Sequence, residues 1–490
     1  MTAISDLIFR QAKIFDGTGA TPHLADVAVT GERIVALGEK LPHQARTEID
    51  AAGLALAPGF IDVHTHDDRA VIATDMAAKL SQGVTTVVVG NCGISLAPLQ
   101  AKGEVVPPLD LIAKGEHELF ERFADYFEAV EAAGTTVNVT CLVGHTTLRF
   151  ATMDRLDRSA TKAECARMRD LLDQALADGA IGLSTGLYYQ PANAASTAEV
   201  IAVAEPLAKY SAIYTTHLRD EADHLLEAME EAFAIGREAD APVVLSHHKA
   251  TDPQNHGRTR VSLPIIEKRA REQPVTLDVY PYAASSTVLE AKRAGQVERI
   301  LITWSKARPD LAGKTLDVIA RELGVSREEA VAKLQPAGAV YFTMDEEDVR
   351  RVLQFPLTMV GSDGLPHDVR PHPRLWGTFP RVLGHYARDI GLFGMEEAVR
   401  RMTALPAARF GLAQRGVIRQ GAFADLVLFD PETILDKASF DDPTQLSAGI
   451  RSVYVNGSLA WSEGKAAGPR AGKVLRNRDL VAKNFTAAFA

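Results

Sequence analysis

The sequence predicts an α/β protein: a (β/α)₈ TIM-like barrel with a small β-sandwich domain built from both chain ends and an inserted lid subdomain. Three observations carry this. Between residues 58 and 411, eight apolar, β-branched runs alternate with amphipathic helical stretches. Both ends of the chain read as short strands instead. One connection inside the alternating region, residues 284–344, is too long for a simple turn between strand and helix.

Taken in order, residues 1–57 hold alternating runs such as DLIFRQAKIFD and DVAVTGERIVALG, broken by Gly and Pro, and form the first part of the β-domain. The barrel strands follow as GFIDVHTH, TTVVVGNC, NVTCLVGH, AIGLSTG, AIYTTH, PVVLSHH, VTLDVYPY and LTMVGSD. Their apolar runs are continuous rather than alternating, as expected of parallel strands buried on both faces. Helical periodicity separates them: in AECARMRDLLDQALADG, Met168, Leu171, Leu172 and Ala175 recur on one face. The segment TLDVIARELGVSREEAVAKL gives the insertion helices of its own. Residues 412–490 return to strand character in ADLVLFD and IRSVYVNG, and complete the β-domain because chain ends commonly lie together.

A chain of 490 residues exceeds the size of one ordinary core, consistent with a barrel plus additions. Its formal net charge of −10 argues against a nucleic-acid surface, which needs a basic stripe. No apolar run is long enough for a membrane span. Three scattered cysteines make no disulfide framework, and the N-terminus lacks a secretory pattern, so a reducing, cytoplasmic setting is expected.

The chemistry gathers at strand ends. His64 and His66 lie two apart on the first strand, so both imidazoles leave the same face. Cys92 ends the second strand, His145 the third, His217 the fifth, His247 and His248 the sixth, and Asp363 the eighth. In a barrel these ends share one rim, where active sites sit. Cys92 alone can be read as a small buried residue, a nucleophile or a metal ligand. Cys, His and Asp repeated around one rim favour a metal, since Zn²⁺ draws on that donor set. Cys141, inside a strand, and Cys165, on a helix, read as packing residues; His248 must point away from its neighbour.

These residues carry a resemblance. PGFIDVHTH, the isolated later histidines and the terminal GSD resemble the amidohydrolase superfamily. GNCGIS, THLRDE, SHHK, YPY and GSDGLPHDVRPHPRLWGTFPRVLGHYARD are similar to the N-acyl-D-amino-acid deacylases, the D-aminoacylase family. The resemblance implies zinc-dependent hydrolysis of a small-molecule N-acyl-D-amino acid, with neutral or hydrophobic side chains favoured. It implies Cys92, His217 and His247 as ligands of one tight Zn²⁺, with His64, His66 and Asp363 lining a second, weaker metal position. The fourth strand, AIGLSTG, has no lysine to bridge two metals. Asp363 is implied as the catalytic proton carrier. Lys249, Tyr280 and Arg374 are implied to grip the substrate α-carboxylate, with Tyr189 and Ser286 as further contacts. His145 is open between a supporting role and a substrate contact, and Arg293 between meeting an acidic side chain and lying on the surface.

Three other readings compete. An N-acyl-D-glutamate or N-acyl-D-aspartate deacylase differs only in side-chain preference. A cyclic-amide hydrolase of the dihydropyrimidinase or hydantoinase kind shares the barrel, but the missing lysine and the cysteine speak against it. A catalytically dead scaffold should have lost ligands, and here the full set is present.

Overall fold

In the computed structural model, which describes residues 4–100, 105 and 107–480, eight parallel strands form the barrel. They are Phe60–Asp62, Val84–Val89, Asn138–Gly144, Gly182–Gly186, Ile213–His217, Val243–Leu245, Val275–Val279 and Thr358–Val360. Every residue in these strands is buried, which explains the continuous apolar runs. The first and last strands are joined just beyond their ends by a bridge between Thr65 and Gly364. There the Asp363 N–H donates to the His64 carbonyl at 2.7 Å, and the His66 N–H to that of Gly364 at 3.0 Å.

A buried lysine reinforces this seam. Lys79 Nζ donates to Asp62 Oδ2 and to Ser362 Oγ, each at 2.7 Å, and lies 3.3 Å from Asp67. Ser362 precedes Asp363, and its N–H donates to Asp62 Oδ1 at 2.8 Å. Two carboxylates and a hydroxyl therefore balance one ammonium in a place with no water exposure. Breaking such a group would leave an uncompensated buried charge, at about 3–5 kcal/mol.

The outer helices obey local rules. In Lys162–Asp178, Thr161 and Glu164 form a reciprocal capping box and Gly179 ends the helix at φ +124°. Met168, Leu172, Ala175 and Leu176 form its buried face.

The insertion is a three-stranded antiparallel sheet with Ala337–Tyr341 between Ser285–Val288 and Ile300–Ser305. Helices Leu316–Leu323 and Arg327–Leu334 accompany it, the second capped by Ser326. Leu289, Ile302, Ile319 and Val331 belong to a core of its own. The chain ends build a nine-stranded mixed sheet, joined where Leu426–Phe429 runs antiparallel to Ala55–Pro58. Phe9 and Tyr454, one from each end, meet edge-on at 5.3 Å within that sheet's core. Residues 1–3 and 481–490 of the expected β-domain lie outside the described residues. Among the described residues, no helix is long and apolar enough to cross a membrane.

Candidate active site

Three rim residues leave their strands through a left-handed backbone: Cys92 at φ +53°, His247 at +36° and Asp363 at +48°. Non-glycine residues rarely adopt this conformation, which costs on the order of 1–3 kcal/mol each and clusters at functional sites. It occurs here where a strand end turns toward the barrel axis, and these side chains meet there.

Two donor clusters share Cys92. In the first, Cys92, His217 and His247 place their ligand atoms within 4.8 Å of one another, all buried. Cys92 Sγ is 3.9 Å from His217 Nδ1 and 3.6 Å from His247 Nε2. Zn–S and Zn–N bonds of ordinary length meeting at a tetrahedral angle separate S and N by about 3.6 Å. The donors therefore fit a zinc ion without rearrangement. In the second cluster, His64, His66 and Asp363 join Cys92. Asp363 Oδ1 is 3.5 Å from His64 Nε2 and 3.2 Å from His66 Nε2, and His64 Nε2 is 3.2 Å from the sulfur.

Cationic neighbours hold the anionic donors ionised. Burial opposes ionisation of Cys92, but His64, His217 and His247 outweigh it and hold the thiol well below its ordinary pKa. Burial likewise opposes the Asp363 carboxylate, yet Arg374 and His64 keep it well below the usual carboxylate range. His217 is pushed down by burial and so favours the neutral, ligating form.

Behind the donor atoms stand two carboxylates to which sequence reading gives no role. Glu221 serves both histidines of the first cluster: Oε1 lies 3.0 Å from His247 Nδ1 and Oε2 lies 3.7 Å from His217 Nε2. Asp278 lies 3.3 Å from His64 Nδ1 and accepts the backbone N–H of His247 at 2.9 Å. Such partners fix the tautomer and orientation of metal-binding imidazoles. Glu221 closes the motif THLRDE, which by itself gives it no role. Asp278 carries a mark: it is a charge in the middle of the apolar strand VTLDV.

A cavity of about 240 Å³ opens over this centre, walled on one side by Ser285–Thr287 of the insertion. Lys249, Tyr280, Tyr189 and Ser286 all line it. Lys249 Nζ donates to Glu221 Oε1 at 2.7 Å and to the His247 carbonyl at 2.9 Å, with His247 Nδ1 also 2.7 Å away. Tyr280 stands between two cations, Lys249 at 5.6 Å and Arg374 at 4.5 Å from its ring. Arg374 is buried behind that ring. Its Nη1 is 2.9 Å from Asp363 Oδ2, without the alignment of a hydrogen bond, and its Nη2 donates to the Ser286 carbonyl at 3.1 Å. The Tyr189 ring packs 4.8 Å from His217, and its hydroxyl accepts from Thr287 Oγ1 at 2.9 Å. Ser286 Oγ is buried and has no protein partner.

Three remaining residues find their places. His145 begins the helix after the third strand and lies 3.3 Å from Glu199, beside the buried Arg149; it supports the helix layer and does not line the cavity. His248 points away from His247 and pairs with Ser262 Oγ at 2.8 Å. Arg293 does line the cavity, its side chain only 11% exposed.

The chain matches the amidohydrolase family over residues 47–312 and 288–460. It is 55% identical over 471 residues to the D-aminoacylase of Alcaligenes xylosoxydans xylosoxydans, covering 96% of this chain and 97% of that one. It is 51% identical over 481 residues to the N-acyl-D-aspartate deacylase of the same organism, covering 98% and 96%. Among solved structures, it resembles N-acyl-D-glutamate deacylase from Bordetella bronchiseptica complexed with zinc and a phosphonate mimic of the tetrahedral intermediate. That match has 47% identity and a TM-score of 0.94 over 97% of this chain and all of the other. The dihydropyrimidinase of Brevibacillus agri, at 18% identity and TM-score 0.59 over 98% of each chain, shares the fold alone.

Proposed function

The chain belongs to the amidohydrolase family, in its N-acyl-D-amino-acid deacylase branch, and from that premise we propose that it hydrolyses the amide bond of N-acyl-D-amino acids, releasing a D-amino acid and a carboxylic acid. One observation supports this above the rest. Buried Cys92, His217 and His247 converge at zinc-binding separations on the floor of a cavity that also holds Lys249 and Tyr280.

Zn²⁺ held by Cys92, His217 and His247 supplies Lewis-acid polarisation of the scissile carbonyl and makes water acidic enough to attack near neutrality. His64, His66 and Asp363 line a second, weaker metal position. The protein does the rest. Asp363 accepts the proton of the attacking water and delivers it to the departing nitrogen, a contribution of typically ~10²–10⁴-fold. Lys249, which lines the cavity, and Arg374, paired with Asp363 behind the Tyr280 ring, hold the substrate α-carboxylate. Tyr189 and Ser286 complete the wall, and the unpartnered Ser286 hydroxyl is available to the substrate.

Neutral side chains are favoured because the cations of the outer cavity are already engaged. Lys292 Nζ lies 3.5 Å from Glu290, and Arg293 Nη2 lies 3.4 Å from Asp252. The acidic net charge and the three free cysteines support a cytoplasmic enzyme without a nucleic-acid partner. The test is release of free amine from paired N-acetyl-D- and N-acetyl-L-amino acids by zinc-loaded protein. Turnover is expected for D-methionine and D-leucine derivatives. Equal turnover of the L series, or none of the D series, would refute the reading.

A further inference from the structure

The cavity has a polar outer part whose charges the reaction does not use. Asp252, three residues beyond Lys249, faces Arg293 of the insertion there, with 3.4 Å between Oδ1 and Nη2. The Arg293 guanidinium also stacks 4.4 Å from the Tyr341 ring. Asp252 is held by its backbone: its N–H donates to the Thr343 carbonyl at 2.9 Å, and its carbonyl accepts from the Asn255 N–H at 2.9 Å. It adopts φ +71° and ψ +140°, a backbone outside the left-handed helical region that glycine favours. Its side chain keeps 33% exposure toward the cavity and solvent, whereas Arg293 is nearly covered.

An N-acyl-amino acid brings three arms to the metal. The α-carboxylate goes to Lys249, Tyr280 and Arg374 in the reading above, on which this inference rests. The side chain is left to reach outward toward the insertion. A carboxylate arriving there finds Arg293 attractive, but Asp252 occupies that cation and adds its own negative charge. Like charges brought together at a binding surface are a strong means of rejection. A neutral side chain leaves the pair undisturbed.

We propose that Asp252 is a specificity-determining residue: by holding Arg293, it turns the outer cavity against acidic D-amino-acid side chains.

Asp252→Asn tests this because it removes the charge and keeps the side chain's shape on the same backbone. Asp252→Gly, which accepts that conformation, is a second route should the first fold poorly. With zinc-loaded protein, kcat/KM for N-acetyl-D-glutamate is expected to rise at least about tenfold in either variant, while N-acetyl-D-methionine changes less than about twofold. Adding Arg293→Gln to Asp252→Asn should abolish the gain. Unchanged glutamate turnover, or parallel changes for both substrates, would overturn the proposal. So would an effect that follows the acyl group, seen by comparing N-acetyl- with N-succinyl-D-methionine. Failure of the wild type on every N-acetyl-D-amino acid would instead strike the deacylase reading itself.

Discussion

Glu221→Gln should weaken zinc binding without touching a ligand. The carboxylate has one oxygen 3.0 Å from His247 Nδ1 and the other 3.7 Å from His217 Nε2, while Lys249 donates to it at 2.7 Å. Burial works against its ionisation, but Lys249, His217 and His247 hold it far below the usual carboxylate range, so it is an anion at neutral pH. A glutamine of the same shape offers one acceptor and no charge. It therefore loses at least one charge-assisted hydrogen bond, about 1.5–3 kcal/mol. At about 1.4 kcal/mol per factor of ten, that is roughly 10- to 100-fold in affinity. Carboxylate partners of metal-bound histidines elsewhere fall in the same range. Competition against a chromophoric chelator at neutral pH measures it directly. KM should rise as well, because Lys249 loses its anchor. A zinc affinity within about twofold of wild type would show that the histidines are oriented by the barrel alone, and the argument from Glu221 would fail.

Cys92→Ala should lose stoichiometric zinc while keeping its circular-dichroism spectrum; full retention of zinc would remove the cysteine from the ligand set. Asp363→Ala should lower kcat by ~10²–10⁴-fold with tight zinc retained, whereas Arg374→Ala should raise KM more than it lowers kcat, since its contact with the α-carboxylate precedes reaction. If wild type hydrolyses an α-amidated substrate as well as the free acid, Arg374 is not the anchor. Acid stability offers a check away from the site. Burial raises the pKa of Glu199, but His145 at 3.3 Å and hydrogen bonds from the Ala160 N–H and Arg149 prevail and hold it down to about 2, against an ordinary 4.5. A depressed carboxylate contributes stability that is present above its unfolded pKa and lost as pH falls through the window toward about 2. Glu199→Gln should therefore be less stable at neutral pH by on the order of 3 kcal/mol, with the gap narrowing below pH 4.5 in urea titrations. A pH-independent gap would contradict this.

The barrel was legible because its eight strands are buried on both faces, which leaves short β-branched apolar runs alternating with amphipathic helical stretches. The candidate donors were legible because a strand end converts sequence position into direction: His64 and His66 had to share a face. Glu221 closes THLRDE, yet its role was not legible, since it sits in a loop where its neighbours Asp220 and Asp223 make any acid look solvated. Only the approach of the sixth strand, bringing His247 and Lys249 to it, gives it a role. Lys79 was hidden for a related reason. A lysine on a short helix reads as surface, and its burial depends on Asp62 and Ser362, which are 17 and 283 residues away. His145 stays open between two roles in the sequence: it follows a strand directly, yet a helix begins at that residue and carries its ring to Glu199.

The left-handed backbone at Cys92, His247 and Asp363 sets selection for durability against selection for chemistry. Glycine is the residue that such torsions favour, and replacing a constrained L-residue there relieves strain at the cost of a looser unfolded chain. Directed evolution of metal-free protein for heat resistance alone should therefore accumulate glycine at these three positions, and with each one discard a donor atom. Libraries screened on turnover in zinc-supplemented medium should keep all three. The strain marks positions that a stability optimiser working from backbone geometry would redesign first and that an engineer of this enzyme should hold fixed.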